Sequence, residues 1–234
     1  MIGLMQPVAF PPMSYFEFIS KVDRFYFLDD VQLSKQSFQT RNRILIQDKD
    51  YWITIPIEKI SLKQKISETK IMYNNWYKKV ENTVKQNYSK SPYLNDFFEI
   101  FTEVLDENHV FLSDFNISLT SKFITKLKIK TLVYKTSDFE THHDKIKRIA
   151  SVMNINNETN YLTVPGSLDY IQNGGLLNNR NLKIYKFVYK PMSFDTYQNR
   201  LSIIHYLLKF GFKKLSEELG EYSETELVNS VDGA

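Results

Sequence analysis

MIGLMQPVAFPPMSYFEFISKVDRFYFLDDVQ, residues 1–32, contains a strand–helix–strand succession in its first thirty residues. Ile2–Met5 is an apolar run of strand length, and Gln6-Pro7 breaks it. Pro11-Pro12 forbids helix upstream of residue 13. Ser14 and Glu17 have the spacing of a capping box, with Met13 and Phe18 placed as a hydrophobic staple, so a helix is expected to open at Ser14. Phe25–Leu28 is a second strand, ending on Asp29-Asp30-Val31-Gln32. A strand–loop–helix corner of this kind binds anionic ligands in open α/β sheets, because free N–H groups and the positive dipole end face outward. Equally, Ser14 and Glu17 can satisfy those N–H groups themselves.

The pattern extends along the chain. Arg43–Gln47 and Tyr51–Ile57, joined by Asp48-Lys49-Asp50, read as an antiparallel hairpin. Trp52, Thr54 and Pro56 fall on one face; Tyr51, Ile53, Ile55 and Ile57 fall on the other. Residues 58–70 are lysine-rich and read as a loop or a short strand over the surface, with its lysines on a solvated face. Helices are expected over 73–89, 94–105 and 115–128. Thr131–Tyr134 is a strand, Ser137 and Glu140 repeat the capping-box spacing before a helix to Met153, and Tyr161–Val164 is a strand. Residues 115–164 therefore alternate as a βαβ unit does, which implies a parallel sheet. Leu182–Tyr189 alternates as a last strand, and Leu201–Phe210 is a helix stopped by Gly211. The expected fold is α/β: a Rossmann-like mixed sheet, mainly parallel with an antiparallel hairpin, and helices on both faces. Residues 1–220 form one domain and 221–234 a polar tail.

Composition narrows the function classes. The chain has 234 residues, 42% hydrophobic and 15% aromatic, enough for a sizeable core. Its net charge of +3 is too mild to imply nucleic acid. It has no cysteine, which excludes disulfides and thiolate chemistry. No apolar run reaches the length of a membrane span, and the start of the chain lacks a secretory pattern, so a cytoplasmic protein is expected. The histidines, His109, His142, His143 and His205, make no metal-ligand spacing. Dinucleotide, P-loop and Gly-x-Ser-x-Gly signatures are absent.

The polar residues at the two corners are the candidates for chemistry. Asp29 and Asp30 stand at a strand end. Extended neighbours point to opposite faces, so one of them is expected to face a ligand, Asp30 by preference. The pair also suits a strand-end turn. Arg41 and Arg43 flank Asn42 and share a face; guanidinium groups bind phosphate bidentately, but both could instead pair with Asp29 or Asp30. Gln6, Ser14, Gln32 and Asn42 offer donors and acceptors, and Tyr170 follows the corner after Tyr161–Val164.

Met5-Gln6-Pro7, Pro11, Tyr15-Phe16, Asp29–Gln32, Arg41–Ile44 and Trp52–Pro56 form an ordered set that resembles the WbqC-like proteins, a family found with bacterial O-antigen and other surface-polysaccharide genes. The resemblance continues through Trp76, Lys79, Tyr88, Asn116, Ser137, Tyr161, Tyr170 and Ser202 to Gly211. Val8-Ala9, Pro12-Met13-Ser14, Val80 and His205 depart from the family pattern. The resemblance implies a transferase acting on the amine of a nucleotide-linked amino sugar, with an acyl or aminoacyl donor as second partner. Asp30 or Asp29 would be the base, Gln6, Ser14, Gln32, Asn42 and Tyr170 polar anchors, and Arg41 and Arg43 the phosphate ligands; no cofactor is named. An adenylate-forming enzyme with a Rossmann-like nucleotide site and a non-catalytic sugar-nucleotide binding protein are the alternatives.

Overall fold

The computed structural model of the chain describes residues 1–34, 37–140, 142, 144–176, 181–192 and 201–228. Its elements are β1 (Ile2–Met5), α1 (Met13–Ser20), β2 (Arg24–Phe27), β3 (Arg41–Ile46), β4 (Lys49–Thr54), α2 (Trp76–Asn87), α3 (Leu94–Asp106), α4 (Leu112–Lys126), β5 (Leu132–Lys135), α5 (Lys145–Ile155), β6 (Asn160–Thr163), α6 (Leu168–Asn173), β7 (Lys183–Val188), α7 (Ile203–Glu218) and β8 (Glu224–Val228). Six strands form one sheet in the order β5-β2-β1-β6-β7-β8. All neighbours are parallel except β7 and β8. The order means that the chain moves one way from β1 through β2 to β5, then jumps back to β6 and moves the other way. The reversal falls between β1 and β6.

The mainly parallel α/β sheet is the expected one. Strand alternation explains the two faces. Ile2, Leu4, Tyr26, Tyr161 and Ile184 pack on Ile149, Val152 and Met153 of α5 and on Ile171 of α6. Phe25, Phe27, Leu162 and Phe187 face α1, α4 and α7. Each such aliphatic or aromatic side chain contributes about 1.5–3 kcal/mol by leaving water. Gly3 makes the α1 side close enough: a Cβ there would stand 2.6 Å from the Phe18 ring.

Three expectations need correction. The hairpin β3–β4 is a separate two-stranded sheet, not part of the main one. Its turn is Gln47-Asp48, both at positive φ (48° and 59°), one residue earlier than expected; positive φ at both central residues suits the twist of a two-residue hairpin. Residues 224–228, read as tail, add an antiparallel edge strand to β7. Glu226 lies opposite Lys186 and pairs with it at 2.6 Å, and Glu224 pairs with Lys190; the polarity of the segment is complementary to that of its neighbour. Gly211 does interrupt a helix, at φ 74° and ψ 163°, but the chain re-enters helix to Glu218. A Cβ at Gly211 would stand 2.4 Å from the Tyr93 ring. Among the described residues no helix is long and apolar enough to cross a membrane.

Candidate functional site

A cavity of about 370 Å³ lies where the strand order reverses. Met5 ends β1 there, and Val164-Pro165 follow β6. Phe187 and Tyr189 of the β7 end, Phe18 of α1 and Phe38 complete an apolar wall, into which Ser14, Tyr15 and Asn42 bring polar atoms. In doubly wound sheets the carboxyl ends of the strands diverge at this point and leave a crevice. The corners after β1 and β6 meet at the carboxyl ends of these two central strands.

The loop from Gln6 to Pro12 closes over this region and is fastened from outside. Asn42, 1% exposed, donates from Nδ2 to the Phe10 carbonyl at 2.9 Å and accepts the Arg43 N–H at 2.9 Å. Phe10 is buried at φ 48°, a strained value for a bulky residue, and the Asn42 bond holds its carbonyl in place. Gln39 donates to Gln6 Oε1 at 2.5 Å, and Ala9 N–H donates to the Phe38 carbonyl at 2.8 Å. Burial pushes the Tyr15 phenol well above its usual pKa, so it stays neutral and donates to the Gln6 carbonyl at 2.9 Å. Gln6 and Asn42 therefore spend their polar groups on loop shape.

α1 starts one residue before Ser14, at Met13, with Pro12 as N-cap and no side-chain cap bond. The expected Ser14–Glu17 capping box does not form. Glu17 is fully buried and accepts the Gly220 N–H at 3.0 Å; burial raises its pKa, with that bond opposing. The short double-proline entry leaves the helix start facing the loop, and the glutamate is drawn to the C-terminal turn instead. Ser14 itself lines the cavity.

The two aspartates form a closed knot at the end of β2. Asp29, 1% exposed, accepts Ser137 Oγ at 2.6 Å and Ser137 N–H at 3.0 Å. Thr136 Oγ1 donates to Asp30 at 2.6 Å, and Arg148 of α5 pairs with Asp30 at 3.2 Å. The second expected capping box, Ser137 with Glu140, is thus replaced: Ser137 belongs to a 3-10 turn over Thr136–Asp138, and α5 is capped by Asp144, which accepts from Ile146 and Lys147 N–H groups at 3.0 Å. Arg148 had a legible signal, since a helical period puts residue 148 with Val152 on the buried face.

The arginines lie elsewhere. Arg41, Arg43, Trp52 and Thr54 share the outer face of the hairpin, with Arg43 directly opposite Trp52. The guanidinium carbons stand 4.5 Å (Arg41) and 5.2 Å (Arg43) from the Trp52 ring centroid. Arg43 also pairs with Asp50 at 3.1 Å, not with Asp29 or Asp30. Arg41 forms no ion pair among the described residues, and its Nε is buried without a hydrogen-bond partner. Trp52 contacts Phe38, centroids 6.1 Å apart, and Phe38 lines the cavity, so the cationic platform adjoins the cavity through two rings.

The structure thus brings Ser14 and Asn42 to the cavity and Arg41 and Arg43 next to it, and ties Asp29 and Asp30 to the β5 side. Gln32 is exposed near Lys65. Tyr170 is on α6, with Lys145 Nζ 5.1 Å from its ring centroid. His205 is buried, with Nδ1 2.9 Å from Tyr88 Oη. His142 precedes α5, and His143 lies outside the described residues. Phe38 and Tyr189 of the cavity wall were invisible to sequence reasoning, because nothing local distinguishes a cavity aromatic from a core one.

Comparison with known proteins bears on all of this. A family model described as the WbqC-like protein family matches residues 6–217. An uncharacterised Mycobacterium tuberculosis protein, Rv1507c, is 30% identical over 172 residues, covering 73% of this chain and 74% of that one. No solved structure matches.

Proposed function

The chain belongs to the WbqC-like protein family, and from that premise we propose that it is a transferase of bacterial surface-polysaccharide synthesis, moving an acyl or aminoacyl group onto the amine of a nucleotide-linked amino sugar. The observation that carries this reading is the pairing of an apolar cavity at the strand-order reversal with a cationic aromatic platform beside it. Apolar walls suit an acyl or aminoacyl side chain. Arg41 and Arg43 suit a diphosphate, whose charge two guanidiniums can share. The α1 start, with no side-chain cap and no acid in its first turn, adds a positive dipole end near Ser14. That dipole and the Ser14 hydroxyl are the groups best placed to stabilise a developing oxyanion on the transferred carbonyl. The cytoplasm is the compartment this reading implies.

Asp30 enters this proposal chiefly as a positioning residue, since its carboxylate already serves Thr136 and Arg148. That commitment favours a second reading, a sugar-nucleotide binding protein without catalysis. The test is incubation with UDP-linked amino sugars and a panel of acyl-CoA and aminoacyl donors, with mass spectrometry of the sugar nucleotide. N-acylated product is expected from the wild-type protein. Binding without product in every combination would give the second reading the stronger claim. Asp30→Asn sharpens the result: a fall in kcat of about 10²–10⁴ at unchanged KM and unchanged Tm would restore the aspartate as general base.

A further inference from the structure

A second cavity, of about 320 Å³, runs between β4 and the first turns of α2. Trp52, Trp76 and Lys79 of the family resemblance line it, and it differs in chemistry from the one at the strand-order reversal. Trp52 forms part of one wall. Along α2, Trp76, Lys79 and Thr83 line the other. Their spacing of three, four and seven residues places them on one helical face, spanning roughly 10 Å.

Four observations converge on the ligand this cavity takes. Among the described residues no aspartate or glutamate lines it. Lys79 lines it with no ion pair or hydrogen bond of its own among the described residues, so its charge is uncompensated by the protein. Trp76 is 5% exposed, and its indole N–H has no hydrogen-bond partner among the described residues, a buried donor left unused there. α2 itself starts at Asn75, held at φ 58°, with no side-chain cap and no acidic residue in its first turn, so the dipole end at the cavity is unneutralised. Uncompensated positive charge selects an anion. An indole wall beside amide and hydroxyl groups selects a ring with apolar faces and a rim of hydroxyls, which is the chemistry of a sugar.

We propose that this cavity binds the sugar-phosphate portion of a phosphorylated or nucleotide-linked sugar, with Lys79 and the α2 start taking the phosphate and Trp52 stacking on the sugar ring. Arg41 stands on the same Trp52, so a second phosphate group of the ligand can reach it without leaving the platform. The proposal rests on the reading of this protein as one that handles nucleotide-linked amino sugars. It adds a specific place for the sugar, across the Phe38–Trp52 pair from the apolar cavity.

The experiment is isothermal titration of the full chain with glucosamine 1-phosphate and with UDP-N-acetylglucosamine, in the wild type and in Lys79→Ala, Thr83→Val and Trp52→Ala. Lys79 is exposed, so its variant is expected to melt with the wild type. The expected result is about tenfold weaker binding of both ligands to Lys79→Ala, and a comparable loss for Trp52→Ala, as one charged hydrogen bond is worth roughly that factor. Inorganic phosphate as a third titrant tells a sugar site from a general anion site: binding as tight as glucosamine 1-phosphate would overturn the sugar assignment. No binding, or binding indifferent to Lys79 and Trp52, would overturn the site. The transferase reading fails or stands separately, on acyl transfer: product formation with Lys79-independent KM leaves that reading and removes this one, whereas Lys79-dependent binding without product does the reverse.

Discussion

The aspartate knot and the hairpin platform are both clusters of charged side chains that the linear chain places within fifteen residues of one another, yet they differ in how far the fold satisfies them. Asp29 and Asp30 meet two hydroxyls, a backbone N–H and a guanidinium inside the protein. Among the described residues Arg41 meets an aromatic face and no carboxylate. Saturated charges stabilise a fold, because removing one partner strands the other in a medium that solvates it poorly. Unsaturated ones are stabilised by something that arrives. The difference separates structure from binding more sharply than residue type does, since carboxylates and guanidiniums occur at both kinds of place.

The largest effect is expected where the knot is opened. Arg148→Ala removes the guanidinium that pairs with the largely buried Asp30. We expect a loss of roughly 3 kcal/mol or more, which for a chain of this size is on the order of 6–12 °C in Tm. The fall should be the same with and without ligand. A variant that melts like the wild type but binds a sugar nucleotide less well would break the comparison, because the knot would then be part of the binding surface.

Arg41→Ala tests the other side. Its guanidinium forms no ion pair among the described residues, so Tm should change little. Binding of UDP-N-acetylglucosamine, followed by titration calorimetry, should weaken about tenfold or more, as expected for a lost charged hydrogen bond. Arg43→Ala should show a mixture of the two behaviours, since Arg43 both stacks on Trp52 and pairs with Asp50.

The smallest effect concerns a saturated carboxylate at the amino end of the central strand β6. Burial alone would raise the pKa of Glu158. The Met1 ammonium at 2.9 Å and the N–H groups of Asn160 and Thr159 outweigh it and hold the carboxyl at about 2. A depressed pKa means stability that is present above the ordinary carboxylate range and lost as pH falls from about 4.5 towards 2. The ammonium is shifted upward: burial would lower it, but bonds to Asp23 and Glu158 prevail. Its share is complete below pH 8 and fades above. Glu158→Gln should cost about 1 kcal/mol at pH 7, or about 2–4 °C. The gap from wild type should close on acidification and narrow again in alkali. A gap constant from pH 3 to pH 9 would show that the pair contributes nothing through its charge.

Much of the architecture was readable because its signals are local. Ile2–Met5, Phe25–Phe27, Leu132–Tyr134 and Tyr161–Thr163 announce strands by short apolar runs bounded by breakers, and the alternation of helix and strand after residue 112 announces a parallel sheet. The outward face of Trp52 and Thr54 and the inward one of Ile53 and Ile55 follow from a period of two. The capping boxes failed for the opposite reason. Ser14–Glu17 and Ser137–Glu140 satisfy a local rule, but Glu17 finds the Gly220 N–H and Ser137 finds Asp29, partners 203 and 108 residues away. A buried long-range hydrogen bond outcompetes a solvated local one.

Sequence by itself determined which segments pair, which faces are apolar and which short polar runs are out of the ordinary, because those properties depend on neighbours two to four residues apart. Only the tertiary structure decided what the polar runs are for. Gln6 and Asn42 became loop fasteners when Gln39 and Phe10 were brought to them. Asp30 became half of a salt bridge when α5 crossed behind the sheet with Arg148. Lys79 and Arg41 kept their charge uncommitted because, among the described residues, no carboxylate stands against either. The free energy of a charged group depends on the partners and solvent within a few ångströms of it, and in this chain those partners come from segments tens to hundreds of residues apart.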